Sequence, residues 1–230
     1  IILYDRGSAI SSMNYKFYME KALAYQSMMN FEKATENYLL QLETEPDDYE
    51  IIKSRLSFMI RYDMDGSVTD VMRIALLKKS QERPEDVLIA ELLVWFALQM
   101  KDYEMALNQE IAIDRRMNDR EYDIIYLARI ARDNEQYDVA ITAYDYLIKK
   151  SKEGAYYPEA VVGLTEVQYV KSEIDGNSDY DFYSEFEKRI ENECLELGIN
   201  DKTVPILIIR AEILAFKLDD NEKAITLLND

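Results

Sequence analysis

Asp175, Asn177, Asp179 and Asp181 occupy alternating positions in "DGNSDYD", and oxygen-bearing side chains at that spacing supply the first half of a calcium loop. The pattern then stops. The sixth place, where the turn needs Gly, is Tyr180, and the twelfth, where a bidentate Glu closes the shell, is Phe186. Asp63 and Asp65 in "DMDG" match less still. Both stretches read as polar inter-helix turns, the first with Ser178 or Asp179 as the N-cap of a helix. The sequence contains no histidine, which removes Ser-His-Asp and Cys-His nucleophile systems and His-ligated metals. It also lacks a Gly-rich phosphate loop. Cys194 is the single cysteine, so no internal disulfide forms, and its helical spacing from Ile190 and Leu197 reads as a buried thiol. The carboxylates are spread evenly and read as solvated helix faces. No catalytic residue, no cofactor and no metal site is expected; a calcium-dependent module or a hydrolase is the minor alternative.

Elements that could position any site must be mostly helical. Only six Gly and four Pro interrupt the 230 residues, and nearly half of those residues are apolar. Asp and Glu outnumber Lys and Arg by 45 to 27, a formal charge of −18 that repels phosphate backbones, so nucleic acid is not expected as a partner. The charge favours a basic partner, or is simply an acidic coat that keeps the chain in solution. The longest apolar run, "VLIAELLVWFALQM", contains Glu91 and is shorter than the roughly 18 residues that a spanning helix needs, so no direct membrane insertion is expected.

A spacing recurs. "NFEKATENYLLQL", "DYEMALNQEIAI", "NEQYDVAITAYDYLI" and "DNEKAITLL" carry Ala34, Ala106, Ala140 and Ala224 in equivalent places. Ala140 follows Ala106 by 34 residues, the period of stacked helix–turn–helix units. The other intervals, 72 and 84 residues, hold two such units with four and sixteen residues over. The surplus is expected in "KSKEGAYYP" and in "SEIDGNSDYD". A small residue lets two crossing helices approach, and a large one a turn away fills the gap beside them. In residues 15–48, Tyr18, Ala22 and Tyr25 form one stripe and Phe31, Ala34 and Tyr38 the next, before Pro46 closes the unit.

These residues resemble the signature of the tetratricopeptide repeat family. Tyr18, Ala22, Tyr25, Phe31, Ala34, Tyr38 and Pro46 fall at seven of the family's eight signature positions, and Gln41 stands where Ala is usual. Residues 121–152 match through Ile124, Ala128, Ala131, Tyr137, Ala140 and Tyr144. Residues 87–118 match through Ala90, Ala97, Tyr103 and Ala106 but place Glu110 where a large apolar residue is usual. Residues 205–230 keep Ile208, Ala215 and Ala224. Two units keep only helical periodicity: 49–84, through Ile52, Leu56, Met59, Val68, Val71 and Ala75, and 156–198, through Ala160, Leu164, Val167, Phe182, Phe186, Ile190 and Cys194. The expectation is an all-α solenoid of about six stacked hairpins over residues 1–230, which the resemblance makes a right-handed superhelix. "IILYD" reads as the tail of an earlier helix, and the ends lack polar capping helices, so a segment of a longer array is expected.

The resemblance further implies a concave groove lined by the first helix of each hairpin. Its candidates are Met19, Leu23 and Gln26; Lys53, Ser57 and Ile60; Glu91, Trp95 and Leu98; Tyr122, Ile125, Arg129 and Arg132; and Ile209, Ile213 and Phe216. Family members that clamp a terminal carboxylate carry Lys and Asn where this chain has Met19 and Leu23, so that clamp is not expected. The partner-binding set is therefore Trp95, Leu98, Tyr122, Ile125, Arg129 and Arg132. Trp95 reads either as a binding anchor or as packing against a neighbouring hairpin. Arg129 and Arg132 read either as a receptor for an acidic ligand or as internal partners of Glu91 or other acids. A protein or peptide partner held by a non-enzymatic scaffold is the expected function, with a structural assembly array as the alternative. The long, acidic, Tyr-rich array resembles envelope assembly proteins of bacteria, and that resemblance leans toward the bacterial cell envelope (periplasm), with the cytoplasm as the alternative.

Overall fold

The computed structural model describes residues 1–10 and 15–229, so the last residue of the sixth expected unit, 230, lies outside the described residues. Every regular element among them is helical. The chain divides into two compact units, Ile1–Asp102 and Tyr103–Asp230. The boundary falls in the turn between the two helices of the third sequence repeat. The first unit holds α1 (Ile2–Ile10), α2 (Tyr18–Ser27), α3 (Phe31–Thr44), α4 (Tyr49–Arg61), α5 (Ser67–Glu82) and α6 (Val87–Gln99), with a short 3-10 turn at Pro46–Asp48. The second holds α7 (Tyr103–Met117), α8 (Glu121–Asp133), α9 (Tyr137–Lys150), α10 (Tyr157–Ile174), α11 (Tyr180–Leu197), α12 (Val204–Glu212) and α13 (Asn221–Asn229). A π-helical turn, Ile213–Lys217, extends α12.

One register explains the repeating alanines. Each is the fourth residue of its helix: Ala34 in α3, Ala106 in α7, Ala140 in α9 and Ala224 in α13. All four are at most 4% exposed, as a residue at a helix crossing must be. The turns that enter α3, α7 and α9 are alike as well. Met29, Lys101 and Glu135 take left-handed φ of 57°, 55° and 60°. The next backbone N–H then donates to the carbonyl five residues back: Asn30 to Tyr25, Asp102 to Ala97, Gln136 to Ala131. That closure satisfies carbonyls the helix end would leave open, and it holds a side-chain-bearing residue in a conformation costing roughly 1 kcal/mol. Gln41, at the departed signature position, is buried and donates to Asp48 Oδ2 at 2.8 Å, so its polar end is satisfied.

The degenerate repeats differ from expectation in register. In α5 the fully buried stripe is Val68, Met72 and Leu76, while Val71 and Ala75 are half-buried. In α12 the core side is Ile206, Ile209 and Ile213, and Ile208 is 48% exposed. The surplus residues of the fifth repeat go largely into helix rather than loop: α10 and α11 have 18 residues each against 13 and 14 in α8 and α9. "SEI" of the expected polar insertion thus belongs to α10. Gly176 (φ 66°) still makes the repeated turn, with Asn177 N–H donating to the Ser172 carbonyl. Two more residues precede the cap, Asp179, whose Oδ1 accepts the N–H of Asp181 and of Phe182.

Asp175–Asp181 is therefore a capped turn: the acceptor oxygens of Asn177 and Asp179 face backbone amides. Among the described residues no group of three or more His, Cys, Asp or Glu side chains is gathered to hold a metal ion. Cys194 lies at 6% exposure in a core with Val162, Tyr183, Phe186, Ile190 and Ile206. Burial raises its thiol pKa, opposite to what a nucleophile needs.

Candidate partner-binding surface

The six residues expected to bind a partner lie in different units, Trp95 and Leu98 in the first and the rest in the second. In the first unit, Trp95 and Leu98 are half-buried on α6, whose other apolar side chains Leu92, Leu93 and Phe96 are fully buried. Other groove candidates of this unit have partners of their own. Gln26 Oε1 accepts from the buried Tyr38 hydroxyl at 2.6 Å, and burial pushes that phenol's pKa up to about 12. Lys53 donates to Glu50 at 2.8 Å and lies over the Tyr49 ring.

In the second unit α8 has a sharp division of faces. Ile124, Ile125, Leu127, Ala128 and Ala131 are buried. Ile125 has no exposed surface, so it belongs to the core rather than to a surface a partner could touch. Ile209 and Ile213 are buried in the same way, while Phe216 is 79% exposed. On the outer face Tyr122 and Tyr126, one turn apart, are 58% and 49% exposed. Their rings stack at 6.4 Å between centroids with planes 9° apart, and Tyr156, just before α10, meets Tyr122 at 6.3 Å. Three phenol rings thus form a continuous strip, two of them exposed and Tyr156 half-buried.

Both arginines of α8 are held by acids of α10 and of α8 itself. Arg129 is bidentate to Glu159, Nε to Oε1 at 2.5 Å and Nη2 to Oε2 at 2.6 Å. Hydrogen bonding to Glu159 raises the Arg129 pKa against the effect of burial. Arg132 donates from Nε to Asp133 at 3.1 Å and from Nη1 to Glu166 at 3.3 Å. Burial lowers its pKa, but Tyr144, Asp133 and Glu166 outweigh that and leave it raised. Burial pushes Glu166 up, with Arg132 opposing. The two guanidinium groups are therefore neutralised within the unit, which realises the internal-pairing reading with Glu159 and Glu166 as the acids.

Below this surface α9 and α10 approach closely. A β-carbon at Gly163 would lie 2.5 Å from Cζ of Tyr144, so only glycine admits the ring. Further in, Asp114 of α7 is 1% exposed and accepts from Arg120 N–H at 2.8 Å, the Tyr146 hydroxyl at 2.8 Å and Lys150 at 2.8 Å. Burial would raise its pKa, but these donors lower it on balance. Lys150 also reaches Glu121 at 3.2 Å, so α7, α8 and α9 share one buried ionic network.

Sequence reasoning reached Tyr122 but missed Tyr126, Tyr156, Glu159 and Glu166. Tyr126 sits one helical turn from Tyr122, so the exposed face of α8 was a usable signal for it.

Within each unit the helix pairs, the register of the alanines and the repeated turn define an all-α, tetratricopeptide-like helical repeat. No family model matches the chain, and no curated relative does. Among solved structures it is similar to a tetratricopeptide repeat protein from Parabacteroides merdae, with 13% sequence identity, a TM-score of 0.36, and coverage of 94% of this chain and 77% of that one. No helix among the described residues is long and apolar enough to cross a membrane.

Proposed function

We propose that this chain is a non-enzymatic protein-interaction scaffold whose second unit binds a basic partner segment over the Tyr122–Tyr126–Tyr156 strip. The observation that carries the reading is the strip itself: two exposed, stacked rings on α8, with the half-buried Tyr156 ring, just before α10, against the first of them. Tyr supplies a large rigid contact area at low entropic cost and attracts cations to its ring face. Pairing of Arg129 with Glu159 and of Arg132 with Glu166 argues against an acidic ligand there. The overall charge of −18 steers a basic segment in the same direction. Trp95 and Leu98, half-buried on α6, are proposed as a separate contact of the first unit.

The test is a pull-down with the chain, followed by affinity measurement for the recovered partner with Tyr122→Ala/Tyr126→Ala, after helicity is confirmed. A loss of about tenfold or more, and weakening by salt, is expected. Unchanged affinity removes the strip from the binding surface.

A second reading, assembly of the chain into an array, is favoured by exposed apolar side chains at α12–α13: Phe216 at 79%, Ile225 at 62% and Leu228 at 64%. Sedimentation velocity separates the two, since concentration-dependent association abolished by Phe216→Ser/Ile225→Ser supports assembly, and a monomer at all concentrations discards it.

A further inference from the structure

The fifth repeat has a pocket that none of the foregoing uses. It has a volume of about 460 Å³, within the range of small-ligand sites, and lies where α9, the end of α10 and α11 meet. Ile141 of α9, Gln168 and Lys171 of α10, and Phe182, Phe186 and Arg189 of α11 contribute to its lining. It shares no residue with the tyrosine strip.

Its origin is legible in the helix register. The fourth residue of α11 is Tyr183, where α3, α7, α9 and α13 have alanine. A fully buried phenol in place of a methyl group keeps α11 from closing on α10 as α9 closes on α8. Instead α11 packs principally against α12, and the core runs through Tyr183, Phe186 and Ile190 to Ile206, Ile209 and Ile213.

Arg189 is the group in this pocket with unused capacity. Its guanidinium lies 4.5 Å from the Phe186 ring centroid. Its Nε is 3.3 Å from Glu193 Oε1, yet Nε makes no hydrogen bond among the described residues. Glu193 is meanwhile held through its other oxygen by the Thr165 hydroxyl at 2.8 Å. No described residue accepts from Arg189 Nη1 or Nη2. Contrast Arg129, whose fork is filled at 2.5 and 2.6 Å by one carboxylate. Gln168 adds an amide whose Oε1 also lacks a partner among the described residues. Phe182, 38% exposed, is an apolar wall beside them. Lys171 is occupied by Asp138, and Glu185, also in the lining, places an acid at the rim.

We propose that this pocket binds a carboxylate attached to an apolar or aromatic group, with the free edge of Arg189 as the anion receptor and Phe182 and Ile141 as the apolar wall. A guanidinium edge and a carboxylate match as two parallel N–H···O bonds, and the Phe186 ring behind the guanidinium covers one of its faces. Burial lowers the Arg189 pKa, with Glu193 opposing. The carboxylate belongs to a chain terminus or an acidic side chain, and Asp175 and Glu185 in the lining oppose ligands of higher negative charge.

Calorimetric titration of the whole chain tests this with three probes: N-acetylphenylalanine, its primary amide, and N-acetyl-phenylalanyl-glutamic acid α-amide. The first carries a terminal carboxylate, the second none, the third a side-chain carboxylate. At least one acid is expected to bind about tenfold or more tightly than the neutral amide, and which one identifies the source. Arg189→Gln is expected to remove that preference. Glu193→Gln, which withdraws the competing carboxylate while keeping an acceptor for Thr165, is expected to tighten acid binding several-fold, a gain that misfolding does not produce. Phe182→Ala, on the exposed wall, is expected to weaken binding about threefold with helicity unchanged. Equal affinity for acids and amide, no binding of any probe, or acid binding insensitive to both Arg189→Gln and Glu193→Gln overturns the proposal. If Arg189→Gln lowers helicity, Glu193→Gln and amide shift mapping on the parent chain decide, and shifts confined to residues away from α9, α10 and α11 reject the site.

Discussion

The fourth and fifth repeats sit side by side in one unit and solve the same packing problem differently. In α8/α9 the crossing residue is Ala140, the turn residue is Glu135, and the arginines of the outer face are saturated by carboxylates. In α10/α11 the corresponding crossing residue is Tyr183, the turn residue is Gly176, and Arg189 retains an open edge beside a cavity. Closing a helix pair on a small residue removes space between the two helices. Holding it apart with a large one leaves that space open. The regular repeat is therefore closed between its helices, and the irregular one keeps a cavity beside them.

The strongest way to break this contrast is to attack the closed repeat through Asp114. Asp114→Ala removes a fully buried carboxylate and leaves Lys150 and the Tyr146 hydroxyl without that partner. A loss of about 3–5 kcal/mol is expected, read as a lower denaturant midpoint. A loss confined to a few tenths would show that the network does not hold α7, α8 and α9 together.

The interface between the two repeats is sharpened by Gly163→Ala. Alanine would gain up to about 1 kcal/mol of helix propensity in open space. The clash with the Tyr144 ring outweighs it, so a net cost of about 1–3 kcal/mol is expected. Gly163→Ala combined with Tyr144→Leu should recover part of that cost, since the shorter side chain vacates the site of the new methyl group.

pH separates the buried network of α7, α8 and α9 from α11 by sign. The folded state holds Asp114 below its ordinary value, so its contribution is fully present above the unfolded carboxylate pKa of about 3.9 and is lost as pH falls through the lower folded value. Glu193, raised chiefly by burial, contributes in the opposite sense: its contribution is present below the unfolded Glu pKa and is lost as pH rises through the folded value. Thermal melts between pH 3 and 6 should show a shallower acid loss in Asp114→Asn and a steeper one in Glu193→Gln. Parallel curves in all three proteins would contradict the assignment.

The smallest effects lie at the equivalent turn residues. Glu135→Gly should stabilise by up to about 1 kcal/mol because glycine relieves the left-handed strain, offset in part by unfolded-state entropy. Gly176→Ala should destabilise by about 1–2 kcal/mol although nothing lies within 4 Å of the new carbon, because the penalty is in the backbone. Opposite signs at the two positions are the measurable outcome.

Much of this was written locally in the chain. Helix content follows from few breakers and period-3.6 stripes, and the alanine register from one spacing, because each depends on residues within a turn or two of one another. Asp179 was identifiable as a cap for the same reason. Tyr122 was legible as an exposed residue of α8, and Cys194 as a buried thiol. What only the tertiary structure decided is what happens between helices. Ile125 and Arg129 are one turn apart on α8, yet the first is sealed in the core and the second is clamped by Glu159, thirty residues away. No periodicity encodes which carboxylate of α10 meets which arginine of α8, since that depends on the separation and rotation of two helices. The same holds for Arg189: its sequence surroundings resemble those of any solvated helical arginine. Its open edge exists because Tyr183 keeps two helices apart, and that is a consequence of side-chain volume acting across the fold.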